Sequence, residues 1–194
     1  MLMGEYNLLN IMAASAVSLN MGIPPEHIER TVNSLPPIPG RLEQISCNCP
    51  GKVFIDYVHT PDAYEKLFSS LTELKDEENK IITIFGCGGN RDSGKRSKMA
   101  EISETYATFS YITMDNPRTE SLEKINADII QGFSGSHYEI ISDRKTAVET
   151  ALSRMDDHCI LLVLGKGREN YQEISTEKQP HNDVEIIRKF QHAG

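Results

Sequence analysis

The apolar positions change their period near residue 40. Across residues 5–21, "EYNLLNIMAASAVSLNM", Leu8, Ile11, Met12 and Val17 recur at helical spacing, and Gly22 ends the run. Pro24-Pro25 opens a second helix, "PPEHIERTVNSL", because proline suits the first helical turn. "PPIPG", residues 36–40, then breaks the pattern; its prolines make it a stiff internal boundary between residues 1–39 and 40–194. Beyond it, "RLEQISCNCPGKVFIDY" predicts two short strands around the turn Cys49-Pro50-Gly51, an antiparallel edge hairpin. Short apolar runs follow at Val53–Ile55, Ile81–Phe85, Tyr111–Met114, Tyr138–Ile141 and Ile160–Leu164. Helical patterns separate them at about 61–74, 94–107, 120–133 and 143–155, and a last one closes the chain at about 182–192.

Strands alternating with helices predict an α/β fold: a mostly parallel, doubly wound, Rossmann-like sheet with right-handed crossovers, preceded by a short helical segment. Ligands of such sheets bind beyond the carboxyl ends of the strands. The unusual residues fall in the segments following the strands: "DYVHTP" at 56–61, "GCGGNRDSGKR" at 86–96, "DNPR" at 115–118 and "GKGRENYQ" at 165–172. After the fourth apolar run comes only "SDRK", where Ser142 or Asp143 suits a helix cap.

Composition narrows the classes. The chain has 194 residues, 39% hydrophobic and 25% charged, which suits one packed α/β domain plus an appendage. A net charge of −8 argues against a general nucleic-acid surface. No apolar run is long enough to span a bilayer, and no basic stretch precedes an apolar one, so neither a membrane segment nor a signal peptide is expected. Cys47 and Cys49 lack the second pair that a zinc site needs, and all four cysteines are expected reduced in a cytoplasmic protein. Cys87 is a small residue of the glycine turn, with a reactive thiol as the alternative.

Read from Gly89, the glycine-rich loop is Gly-x4-Gly-Lys, close to a phosphate loop, but Arg96 stands where a hydroxyl should bind magnesium. Gly86, Gly88 and Gly89 are expected to expose N–H groups to an anion beside a helix start. Arg91, Lys95, Arg96 and Lys98 against Asp92 make this a basic island in an acidic chain. A phosphate loop, another anion site and a solvated helix start all stay open on these residues. Arg118 adds a second guanidinium able to clamp a carboxylate with paired hydrogen bonds. With Arg91, Asn116 and a counter-charge at Glu169, the set suits a zwitterionic amino acid. Asp56 and His59 invite a hydrolytic triad, but no Ser or Cys occupies a nucleophile elbow. His27, His137, His158, His181 and His192 lack ligand spacing, and no metal site is expected in this chain.

"GEYNLLNIMAA", "PGRLE", "DYVHTPDAYE", "FGCGGNRDSGKR", "DNPRTE" and "GKGRENYQ" occur in the order found in the Mur ligases, and the chain resembles that family over nearly its whole length. The resemblance implies a cytoplasmic, ATP- and magnesium-dependent amide ligase of peptidoglycan synthesis, of the type that adds meso-diaminopimelate to a UDP-muramoyl dipeptide through an acyl phosphate. It implies that residues 1–39 close the central ATP-binding domain and that 40–194 form the carboxyl-terminal domain. By resemblance, Arg91, Asn116, Arg118, Gly165 and Glu169 bind diaminopimelate, with Arg118 favouring it over lysine. Asn7, Asn10, Arg41, Asp56, Tyr57 and His59 line the ATP site, and Lys95 contacts phosphate. The family's phosphate loop, magnesium-binding glutamate and carbamylated lysine are expected upstream, so this piece is expected to be inactive alone and to hold no catalytic group itself. It departs from the family at Arg168, where a histidine is usual. The alternatives are a free-standing module binding an amino acid or nucleotide, and a phosphate-loop NTPase.

Overall fold

The apolar runs at Val53–Ile55, Ile81–Phe85 and Ile160–Leu164 become strands buried on both faces. The computed structural model describes residues 5–72 and 79–191. Its main sheet contains β1 (Glu43–Gln44), β2 (Lys52–Asp56), β3 (Lys80–Phe85), β4 (Phe109–Ile112), β5 (Tyr138–Ile140) and β6 (Cys159–Leu164). Successive side chains of a strand point to opposite faces. Accordingly Phe54, Ile81, Phe85, Ile160 and Leu162 enter one core, and Val53, Ile55, Ile82, Ile84 and Leu161 the other. This double burial explains why the strands read as unbroken apolar runs without polar alternation.

Helices cover both faces. α3 (Pro61–Thr72), α4 (Gly94–Tyr106) and α5 (Leu122–Ile130) supply Leu67, Phe68, Met99, Ile125 and Ile129 to the first core. α6 (Arg144–Ser153) and α7 (Asp183–Lys189) supply Val148, Leu152, Val184 and Ile187 to the second. Each fully buried Leu or Ile contributes about 1.5–3 kcal/mol. A buried Arg144–Asp183 pair at 2.9 Å joins α6 to α7, and Arg144 also donates to Leu164 O. The predicted ends of α3 at 73–74, and His192 of the last helix, lie outside the described residues.

The strand order is β1-β2-β6-β3-β4-β5, with β1 antiparallel and the rest parallel. β6, last of the six in the chain, therefore inserts between β2 and β3. The loops after β2, β6, β3 and β4 become neighbours on one edge of the sheet, where an open α/β sheet binds its ligand.

Several expectations are corrected. The β1–β2 connection spans residues 45–51 and is longer than the turn Cys49-Pro50-Gly51. Cys47 and Cys49 are joined as a disulfide, so only Cys87 and Cys159 are free thiols. A second hairpin, β7 (Tyr171–Ile174) with β8 (Glu177–Pro180), lies outside the main sheet and was not expected. α1 (Glu5–Asn20) and α2 (Pro25–Asn33) form as predicted, but the apolar spacing on α1 does not mark a buried face: Leu8, Met12 and Val17 are about 60% exposed.

Candidate functional site

A cleft of about 510 Å³ opens where the four neighbouring loops meet. Tyr57 and His59 line it after β2, and Gly88, Arg91, Asp92 and Lys95 line it after β3. Asp115, Asn116 and Arg118 come after β4, and Gly165, Glu169 and Tyr171 after β6. All five residues expected to hold the amino acid thus share one cavity. Of the residues assigned to ATP, Tyr57, His59 and Lys95 share it too.

The remaining ATP residues do not line this cleft. Asn7 and Asn10 line a separate cavity of about 380 Å³ between α1 and α2. The Arg41 guanidinium lies 5.5 Å from the Tyr57 ring centre. Asp56 is buried; its carboxylate accepts the N–H of Leu42 at 2.6 Å and of Val58 at 2.9 Å. Burial nevertheless pushes its pKa up. Asp56 thus fixes the start of the loop and forms no pair with His59, whose Nδ1 faces Tyr57 O.

The glycine loop is built differently from the expectation. A Cβ on Gly86 would collide with Thr113 O, and one on Gly89 with Pro117 O. Glycine is required here because two loop backbones touch. The Gly89 N–H donates to Asn116 O at 2.9 Å, and the Asn90 N–H to Glu120 Oε2 at 2.9 Å, so these amides bind the neighbouring segment. Arg96 is fully buried; it pairs with Glu120 and Asp128 at 2.7 Å and donates to Gly88 O. The hydrogen bond from Arg96, with the Asn90 N–H, lowers the Glu120 pKa to about 2. The basic island is therefore smaller than the sequence suggests: Arg96 holds the loop together, while Arg91 and Lys95 face the cleft. Cys87, which burial pushes up to about 12, is a packed thiol with no reactive character.

The charges in the cleft are arranged by kind. Arg91 is exposed and has no hydrogen bond or ion pair among the described residues. Arg118 is anchored by Nε to Glu173 Oε2 at 3.0 Å and by Nη1 to Gly89 O at 2.9 Å. Opposite in charge, Glu169 accepts from Lys166 Nζ at 2.8 Å, Asn116 Nδ2 at 3.2 Å and Tyr57 OH at 3.1 Å. Burial opposes its ionisation, but Lys166, Asn116 and Tyr57 together outweigh this and lower its pKa, so Glu169 is an anion at neutral pH. The cleft thus offers guanidinium groups for carboxylates and a fixed carboxylate for an ammonium.

Two supporting residues were missed by sequence reasoning. Lys166 is fully buried and its ammonium also reaches Asn116 Oδ1 at 3.1 Å and Asp115 Oδ1 at 3.4 Å. Its place between two loop glycines in "GKGRENYQ" was the available signal. Glu173 sits in the unforeseen hairpin, with no signal. Arg168 is not in the cleft lining; its Nε reaches Glu43 Oε2 at 2.8 Å and ties this loop to β1. The Glu43 carboxylate also accepts the Gly40 N–H.

A family model described as "Mur ligase, glutamate ligase domain" matches residues 40–167. The UDP-N-acetylmuramoyl-L-alanyl-D-glutamate–2,6-diaminopimelate ligase of Chlamydia trachomatis serovar D is 43% identical over 187 residues, which is 96% of this chain and 38% of the relative. The ligase of the same name from Fusobacterium nucleatum is 40% identical over 97% of this chain and 39% of its own length. A solved structure of a ligase of that name superposes with a TM-score of 0.72 at 34% identity, covering 95% of this chain and 38% of that one. A folylpolyglutamate synthase from Mycobacterium tuberculosis shares the fold, with a TM-score of 0.68 at 20% identity over 84% of this chain and 38% of its own. The chain therefore spans less than two fifths of the length of these relatives.

Proposed function

The chain belongs to the Mur ligases, and from that premise we propose that it is the amino-acid-binding, carboxyl-terminal part of a cytoplasmic ligase that adds meso-diaminopimelate to UDP-N-acetylmuramoyl-L-alanyl-D-glutamate. The observation that supports this most is the pairing, in one cleft, of Arg91 and Arg118 with an ionised Glu169. Meso-diaminopimelate carries two carboxylates and two amino groups. The guanidinium of Arg118 takes one carboxylate and the unpaired Arg91 the other. Glu169 takes the ammonium that does not react. Asn116 and Lys166 orient Glu169 through the bonds already described.

Such a reaction joins the remaining amine, in its neutral form, to the D-glutamate carboxyl carbon. The amine nitrogen adds to the carbonyl carbon of the acyl phosphate to give a tetrahedral intermediate, whose collapse breaks the acyl C–O bond and releases inorganic phosphate, while the proton leaving nitrogen passes to phosphate or solvent. ATP with magnesium, when bound, supplies the phosphoryl group that activates the carboxyl. Among the described residues no cluster of three or more His, Cys, Asp or Glu could hold a metal ion. The magnesium ligands and the phosphate loop belong, on this reading, to the rest of the ligase. This chain contributes Lys95, which lines the cleft, as a phosphate contact. Its ammonium currently donates to His59 O at 2.6 Å. Residues 1–39 form the end of the ATP-binding domain, which places Asn7 and Asn10 at the nucleotide only when that domain is complete.

Calorimetric titration with meso-diaminopimelate and with lysine tests the reading. Binding of meso-diaminopimelate that weakens at least about tenfold in Arg118→Ala is the expected result, since a charged hydrogen-bonded pair is lost. Equal binding of the two amino acids, or retention of meso-diaminopimelate by Arg118→Ala, overturns it and leaves a general binding module.

A further inference from the structure

Lys166, Gly167, Arg168 and Glu169 form a tight turn, closed by the Glu169 N–H on Lys166 O at 2.9 Å. The turn brings its two ends together, and Lys166 Nζ donates to the Glu169 carboxylate at 2.8 Å. Its apex, Gly167 and Arg168, lies against the chain that leads into β1. Gly167 has φ +51°, and a Cβ there would meet Gly40 O and Tyr57 Cβ, each at 3.2 Å. Arg168 lays its guanidinium along the Glu43 carboxylate: Nε donates to Oε2 at 2.8 Å, and Nη2 donates to Oε1. Two parallel hydrogen bonds of this kind fix orientation as well as distance.

Glu43 is itself held. It pairs with Ile55 in the β1–β2 register, and its Oε2 accepts the Gly40 N–H at 2.7 Å. Gly40 O accepts the Tyr57 N–H at 3.0 Å, and Tyr57 OH returns to Glu169 Oε1 at 3.1 Å. The segment 40–43 and the Glu169 turn are thus joined twice, through Arg168 and through Tyr57. Most exposed ion pairs contribute little, because two free side chains must be ordered to form them. Here one partner is already fixed: the Glu43 side chain is only 13% exposed, and the Arg168 hydrogen bond is the main cause holding its pKa below the ordinary value.

We infer that Arg168 is a positioning residue: by fastening the apex of the turn to Glu43, it holds the Glu169 carboxylate in place for the ammonium of the ligand. The inference rests on the amino-acid reading above. Arg168 does not line the cleft, so it acts through the turn. Its loss therefore costs any ligand that carries an ammonium, whereas Arg118 acts on the second carboxylate.

The test is calorimetry on the chain with meso-diaminopimelate and lysine as probes, together with NMR titration of the Glu169 carboxyl carbon. Arg168→Ala is expected to weaken both amino acids about fivefold, since a turn that is no longer fastened must be ordered on binding. It is also expected to raise the pH at which Glu169 titrates: burial pushes that pKa up, and only the bonds from Lys166, Asn116 and Tyr57 hold it below the ordinary value. Glu43→Ala is expected to do the same, with Arg168→Ala adding nothing to it, as for two residues acting as one unit. Arg154→Ala removes an equal charge from an exposed pair with Glu139 outside the cleft lining, and is expected to leave both readouts unchanged. If Arg168→Ala changes neither readout while Arg118→Ala weakens meso-diaminopimelate, the positioning role is wrong and the amino-acid reading stands. Weaker binding with an unchanged Glu169 titration, a loss confined to meso-diaminopimelate, additive losses in the double variant, or an equal effect of Arg154→Ala also overturns it. If the parent chain binds neither amino acid, the amino-acid reading falls and the role of Arg168 in binding falls with it.

Discussion

Arg96 shows how one residue changes meaning once its surroundings are known. In the sequence it spoils a phosphate loop and enlarges a basic patch. In the structure it is a buried cation neutralised by Glu120 and Asp128. Nothing in a string of letters separates this arginine from Arg91, because arginines are mostly exposed and burial depends on which loop lands on them. The expected consequence is a large stability cost on truncation. Arg96→Met should lower the unfolding free energy by about 3 kcal/mol, since two carboxylates lose their partner, and urea denaturation measures it. The pH dependence follows from Glu120. Its pKa in the folded chain, about 2, lies below the ordinary value of 4.5. Its contribution is complete above that ordinary value and is lost as pH falls towards about 2. The parent chain should therefore lose urea resistance between pH 5 and pH 3 more steeply than Arg96→Met. Equal slopes would show that the pair contributes no acid-sensitive stability.

At the scale of elements, what the sequence reveals follows burial. β2, β3 and β6 are legible because both their faces are apolar, and β4 is displaced by two residues, to Phe109–Ile112, because polar Ser110 and half-buried Phe109 blur its start. The hairpin β7–β8 escapes because its outer strand, "EKQP", is exposed throughout and carries no apolar alternation. The insertion of β6 between β2 and β3 escapes for another reason: strand order is set by long-range pairing, which leaves no local trace. Yet the residues of the cleft were mostly found, because polar residues after apolar runs mark the ligand edge whatever the order. Lys166 and Glu173 were missed since their role lies in contacts with other loops. The contact between the β3–α4 and β4–α5 loops gives a further prediction. Gly89→Ala places a methyl against Pro117 O, and Gly86→Ala places one against Thr113 O. Backbone must shift in either case, at about 1–3 kcal/mol. Both variants should lower the melting temperature, and Gly89→Ala should also weaken meso-diaminopimelate binding by moving the carbonyl that holds Arg118 Nη1. Gly94, whose Cβ would meet only Asp92 Oδ1, is the control, and Gly94→Ala should leave binding intact.

For the whole molecule, the question is what the helical pair α1–α2 is for. Leu8, Leu9, Met12, Val17, Leu19 and Met21 are all at least half exposed, α2 buries no residue, and the cavity between the helices is lined mainly by apolar groups. Such a concentration of exposed apolar side chains marks a surface meant to be covered. None of the described helices is long and apolar enough to cross a membrane. The relatives are more than twice as long as this chain, so the rest of the ligase is the occupant that the proposed function supplies. Two outcomes follow for the chain alone. It should turn over no ATP, because the phosphate loop and the magnesium ligands are proposed to lie on that covering part; amide formation with release of ADP by this chain would refute the division of labour. It should also bind a hydrophobic dye and associate as its concentration rises. Leu8→Lys combined with Met12→Lys puts two charges on one exposed face of α1 without touching either core, so sedimentation should shift towards monomer while the melting temperature of the sheet domain holds. Association that survives these charges would place the sticky surface elsewhere, and the exposed apolar side chains of α1 would then need another explanation than contact with the rest of the proposed ligase.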